Sequence, residues 1–161
     1  MKMLLLLRHA KSDWDDVSLR DIERPLAKRG RRDAPRMGQA LKARRLTVDY
    51  VLCSPATRAM QTMELFTKAA EVEASLQYEA QIYDASVPEL MKVVRAIPNE
   101  YANVLMVGHN PGFESLLGRL TKLYHPMPTA ALACLELPVN HWQEVEDEAG
   151  KLLWFLTPKM L

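Results

Sequence analysis

Short, unbroken apolar runs alternate along this chain with longer stretches in which apolar residues recur at helical spacing. Met3–Leu7 is a continuous apolar run, the pattern of a strand buried on both faces. Tyr50–Cys53 and Val104–Val107 repeat it, Ala131–Leu137 and Leu152–Thr157 add two more, and residues 75–83 hold a weaker strand. Between the first two runs, Leu26, Gly30, Ala34, Met37 and Leu41 predict an amphipathic helix over roughly residues 26–44. Pro35 lies inside it and predicts a kink or a later start. Ser54-Pro55 reads as a helix start, with Ser54 as cap and Pro55 in the first turn, continued by Ala59, Met63 and Phe66. Leu90, Val93, Val94 and Ile97 predict a helix around 88–97, and Phe113, Leu116, Leu117 and Leu120 another after Gly112. Residues 11–25 read as a long loop, and the acid-rich segment 138–150 as an exposed connection.

Strand and helix alternate through most of the chain, which predicts a three-layer α/β/α sandwich: a mostly parallel sheet of about six strands with helices on both faces. The length of 161 residues suits one domain spanning 1–161. A net charge of +1 argues against a surface built to coat nucleic acid or an anionic membrane. Cys53 and Cys134 each sit in an apolar run and are expected to be buried, reduced thiols. The apolar run near Met1 is too short for a secretory leader and ends at Arg8 without a small-residue cleavage site. The cytoplasm is therefore the expected location.

In open α/β sheets, ligands bind beyond the carboxyl ends of the strands. Arg8-His9 follows the first strand, Ser54-Pro55-Ala56-Thr57-Arg58 the second, and His109 the run at 104–107. If these strands are neighbours, two arginines and two histidines converge, with two helix N-termini aimed at the same crevice. That combination suits a phosphoryl group. Guanidinium groups match its oxygens and stay charged. One neutral histidine can attack phosphorus while the other donates a hydrogen bond. Taken singly, each residue also has an ordinary structural reading. A metal site is the rival use of His9, His109, His125 and His141, but they form no short His-x-x-x-His pair, and nearby arginines repel a cation.

These residues resemble the histidine phosphatase superfamily, which includes phosphoglycerate mutase. Leu7-Arg8-His9-Ala10-Lys11-Ser12 is similar to the start of its small SixA-type phosphohistidine phosphatases, in which the glycine common after the histidine is replaced. Arg24-Pro25-Leu26 with Arg29-Gly30, Ser54 through Thr62, Val107-Gly108-His109-Asn110-Pro111, and Pro128-Thr129-Ala130-Ala131 follow in the family's order. The resemblance covers about Met3 to Leu137. It implies His9 as nucleophile, Arg8, Arg58 and His109 as phosphate-binding and transition-state groups, and no metal or other cofactor. Lys11, Ser12 and Arg24 are implied at the substrate rim. It also implies one antiparallel strand near the C-terminus. Larger members carry a glutamate general acid after the third strand. This chain has Ile82-Tyr83-Asp84-Ala85-Ser86 there, making Asp84 the nearest candidate proton donor and Glu79 a less well placed one, with a surface role for Asp84 the other reading.

The function expected is a phosphatase working through a covalent phosphohistidine on His9, with a phosphohistidine protein as substrate. A small-molecule phosphomonoesterase or mutase, and a non-catalytic phospho-ligand binding module, are the alternatives. Imidazole is a weaker base than an alkoxide and leaves with less help, so a weak or missing acid is tolerable for a phosphoramidate. No long insertion follows Arg58 or His109 to enclose a metabolite. Residues 20–45 hold ten basic residues against three acids, which reads either as a solvated helix face or as a rim attracting an acidic phosphoprotein.

Overall fold

The computed structural model describes residues 1–161. Six strands form one sheet: β1 (Lys2–Arg8), β2 (Tyr50–Cys53), β3 (Ser75–Tyr78), β4 (Asn103–Gly108), β5 (Leu132–Leu137) and β6 (Lys151–Leu156), in the spatial order β3-β2-β4-β1-β5-β6. The pairs β3–β2, β2–β4 and β4–β1 are parallel. β5 runs antiparallel to both β1 and β6, so it is the one reversed strand. β1 lies fourth in the order and shows why its run is unbroken: Leu4 and Leu6 enter the core on one face, Leu5 and Leu7 the core on the other, all fully buried. Burying each contributes about 2 kcal/mol.

Helices α1 (Lys28–Ala43) and α2 (Thr57–Ala70) cover the Leu5/Leu7 face, with Met37, Leu41 and Phe66 in its core. Helices α3 (Val87–Arg95) and α4 (Gly112–Thr121) cover the Leu4/Leu6 face, with Leu90, Phe113 and Leu117. No helix is long and apolar enough to cross a membrane. Cys53 and Cys134 are buried and unpaired; burial pushes both thiols up to about 12.

Three local expectations change. α1 starts well before Pro35 and runs through it, so the Arg31 carbonyl loses its usual helical donor there. Ser54 is not the cap of α2: the cap position is Ala56, and the Ser54 hydroxyl is used elsewhere. The connection 138–150 is not wholly exposed. Trp142 is completely buried in a short 3-10 turn, its Nε1 donating to Tyr101 O at 2.7 Å, and Val145 packs beside it.

Candidate functional site

The strand order places β4 between β2 and β1, so the three strand ends carrying Arg58, His109 and Arg8-His9 are neighbours. The backbone joins them: His9 N and Ser54 N donate to Gly108 O and Val107 O, both at 3.0 Å. Gly108 is needed at that crossing, since a Cβ would lie 2.6 Å from the Phe113 ring.

His9 is 7% exposed. Its Nδ1 lies 2.8 Å from Ala10 O, which only a protonated nitrogen can satisfy, so Nε2 carries the free lone pair. The Ala10 N–H donates in turn to Thr62 Oγ1 at 3.0 Å, and that hydroxyl donates to Arg58 O at 2.7 Å. The first turn of α2 and the end of β1 are thereby locked together. The rings of His9 and His109 stand 5.2 Å apart.

Ser54 explains the state of His109. Its Oγ accepts from Ala56 N at 3.2 Å and lies 2.7 Å from His109 Nε2. Ser54 Oγ already accepts from Ala56 N, and its hydroxyl hydrogen finds an acceptor only at Nε2; in that arrangement the His109 proton resides on Nδ1. Arg8 is fixed from the other side: Nη1 donates to Met127 O at 2.8 Å, and Met127 N donates to Glu114 Oε1 at 2.7 Å.

Three buried side-chain polar atoms in the chain have no partner: Arg8 Nε, Arg58 Nε and His109 Nδ1. All belong to this cluster; the two arginine nitrogens are donors, and so is His109 Nδ1 in the tautomer that gives the Ser54 hydroxyl its acceptor. An orphaned buried donor costs roughly 1–3 kcal/mol. Unpartnered nitrogens brought together from separate strand ends are groups that an anion with several acceptor oxygens can satisfy.

Burial holds His9 down to about 4 and His109 to about 3, with the neighbouring cations adding to the effect and the Ala10 hydrogen bond opposing it at His9. Both imidazoles are neutral at pH 7. The unfolded chain binds a proton on His9 near pH 6.5, and the folded chain only near 4, so stability is full above 6.5 and falls as pH drops through that window. The His9 contribution is on the order of 3 kcal/mol. Urea unfolding in anion-free buffer should therefore show stability falling from pH 7 to pH 4.5, with a shallower fall in His9→Asn. Equal falls would contradict the assignment.

Asp21, in the 3-10 turn Asp21–Glu23, was not singled out by sequence. Its backbone oxygen accepts from Arg58 Nη1 at 2.7 Å and its Oδ2 from Arg58 Nη2 at 3.0 Å. Oδ2 also accepts from Tyr83 Oη at 2.6 Å, and Oδ1 from Arg24 Nε at 3.2 Å. Tyr83 above all, with the two arginines, lowers the carboxyl to about 2, so Asp21 is ionised. It clamps the outer edge of the Arg58 guanidinium and leaves Nε for the crevice. Tyr83 lays its ring edge-on to His109 at 5.6 Å. Only the spacing Asp21-x-x-Arg24 hints at this arrangement in the sequence.

The remaining expected residues are placed as follows. Asp84 is exposed, has a φ of 52°, and makes no hydrogen bond or ion pair with the cluster. Glu79 caps the 3-10 turn after β3 by accepting from Gln81 N. Ser12 and Arg24 are buried and bonded to each other at 2.9 Å, under the loop rather than on its surface. Lys11 is half-buried. No three or more His, Cys, Asp or Glu side chains are grouped to hold a metal ion; His125 packs on Phe155, away from His9.

Comparison with known proteins supplies an independent reading. The model of the histidine phosphatase superfamily (branch 1) matches residues 4–87. An uncharacterized protein of Mycobacterium tuberculosis (strain H37Rv) is 32% identical over 95% of this chain and 100% of its own length. Phosphohistidine phosphatase SixA of Escherichia coli K12 is 26% identical over 96% of this chain and 93% of its own. A solved structure of the protein histidine phosphatase SixA complexed with tungstate superposes with a TM-score of 0.83 at 25% identity, covering 98% of both chains.

Proposed function

From the premise that this chain belongs to the histidine phosphatase superfamily, we propose that it is a metal-independent phosphatase that forms a covalent phosphohistidine on His9 and acts on phosphohistidine in a protein. The fold and family support a phosphatase of SixA type. The observation that carries the catalytic reading is the set of three orphaned donors, Arg8 Nε, Arg58 Nε and His109 Nδ1, around the free lone pair of His9. Tungstate, the ion in the related structure, has the shape and charge class of phosphate.

In the first step His9 Nε2 attacks phosphorus in line. The bond from phosphorus to the substrate nitrogen breaks, and that nitrogen keeps the electron pair while the leaving imidazole takes a proton from solvent. Arg8, Arg58 and His109 hold the three equatorial oxygens as charge shifts onto them. Water then attacks phospho-His9, releasing inorganic phosphate and restoring neutral His9.

The choice of substrate rests on the leaving group. Asp21 is ionised and engaged with Arg58, and the Tyr83 hydroxyl is committed to Asp21, so neither is a ready acid. Asp84 is the one remaining carboxyl of the segment that follows β3 and Glu79. A site so poor in acids handles an imidazole leaving group better than an alkoxide. The test sets a histidine-phosphorylated protein against p-nitrophenyl phosphate and sugar phosphates. The phosphohistidine protein should be turned over with the highest kcat/KM; sugar phosphates ahead of it would make the enzyme a small-molecule phosphomonoesterase. Asp84→Asn should leave phosphohistidine turnover within about threefold. A loss of about 10²-fold or more on that substrate would make Asp84 its general acid.

A further inference from the structure

A second cationic site lies on the same edge of the sheet. A cavity of ≈ 360 Å³ opens between α1 and the 3-10 turn Pro158–Met160, walled by Arg29, Arg32 and Arg36 from α1, Lys159 from the turn, and Thr129. Its one acid is Asp33, 5% exposed and already engaged by Arg32 at 3.4 Å and Arg36 at 3.3 Å. Arg29 and Lys159 form no ion pair and no side-chain hydrogen bond.

The cavity adjoins the crevice. Thr129 precedes Ala130, whose N–H donates to His9 O at 3.0 Å. Gly30 brings α1 so close to the strand end that a Cβ there would lie 2.2 Å from Lys11 O. Thr157, which also lines the cavity, directly follows β6, two strands from β1 in the sheet. With strands about 4.8 Å apart, the two sites are separated by roughly 10 Å, or about three residues of extended chain.

The four cations share one acid, Asp33, with Arg36 Nη2 also donating to Leu161 O at 3.3 Å; the like charges repel one another, and Arg29, in the first turn of α1, also opposes its dipole. Arg29 is exposed and makes no ion pair with Asp33, which Arg32 and Arg36 already hold. A cavity open to solvent and lined by guanidinium groups suits carboxylates, which each fork can hold bidentately. We propose that this cavity docks the carboxylates of an acidic segment of the phosphoprotein substrate, a few residues from its phosphorylated histidine. The inference rests on the phosphohistidine-protein reading above.

Arg29→Glu and Lys159→Glu, on separate elements, test it through two substrates. Each should lower kcat/KM for a histidine-phosphorylated protein with acidic residues near the histidine by about tenfold or more, mainly through KM. Turnover of p-nitrophenyl phosphate should stay within about twofold, which also shows that the variants fold. Added salt should slow the wild type on the phosphoprotein and leave the double variant nearly flat. Parallel losses on both substrates, or no loss on the phosphoprotein, would overturn the proposal. A Glu-rich peptide without phosphate, titrated onto wild type and double variant, reads the cavity independently of the catalytic reading. Binding by the wild type alone supports the docking site, and equal or absent binding overturns it. Activity on p-nitrophenyl phosphate without activity on any phosphohistidine protein would instead contradict the substrate reading, with the peptide titration still deciding the cavity.

Discussion

His9→Ala should reduce phosphate release by about 10⁴-fold or more while leaving the fold intact. The side chain is nearly buried, but its single hydrogen bond is to the adjacent Ala10 O, and no other element depends on it. Removing it also removes a buried imidazole held at about 4, so the variant should be no less stable than the wild type at pH 5. Affinity for a phosphate analogue such as vanadate should persist within about tenfold, because Arg8, Arg58 and His109 still converge. Single-turnover phosphate release and analogue binding check both halves. Unchanged release in His9→Ala would mean that His9 is not the nucleophile. Inactive wild-type protein that binds phosphate would mean a binding module.

Arg58→Ala should cost about 10³-fold in kcat/KM, the second largest effect. Arg58 is 6% exposed, fixed at two nitrogens by Asp21, and left with Nε unpartnered. Arg58→Lys should recover little, since one ammonium cannot both meet the Asp21 carbonyl and carboxylate and reach the crevice. Asp21→Asn keeps the carbonyl contact to Nη1 and loses the carboxylate. It should fall between wild type and Arg58→Ala, with the loss in kcat rather than KM if Asp21 aligns Arg58 for the transition state. Steady-state kinetics on the phosphohistidine protein separate these cases. An Arg58→Ala variant with wild-type kcat/KM would remove Arg58 from the site.

The parts of this fold legible in sequence are those that local pattern specifies. β1, β2 and β4 appear as apolar runs because both faces of each are covered, and the chemistry stands directly after them. Strand order was the missing step, and it is non-local: nothing in Tyr50–Cys53 says that β4 rather than β1 lies beside it. Ser-Pro before a helix has the same local look whether the hydroxyl caps the helix or supports His109, so the role of Ser54 is not legible locally. Asp21 is hidden in the sequence for a related reason. It lies in a loop whose path is set by the Ser12–Leu26 bridge and by Arg24 lying 3.3 Å from the centre of the Trp14 ring, contacts no periodicity encodes. Trp142 was hidden by the acids around it, since one buried aromatic in a polar segment leaves no repeat to detect.

The central claim is a phosphoryl group carried on His9 Nε2, and rapid quenching of wild-type enzyme with a ³²P-labelled phosphohistidine protein tests it most directly. A transient label should appear on the enzyme, stable in base and lost in acid as a phosphoramidate should be, that peptide mapping places on His9 and that His9→Ala lacks. A label stable in acid, a label on another residue, or full phosphate release with no labelled enzyme at any time would contradict it.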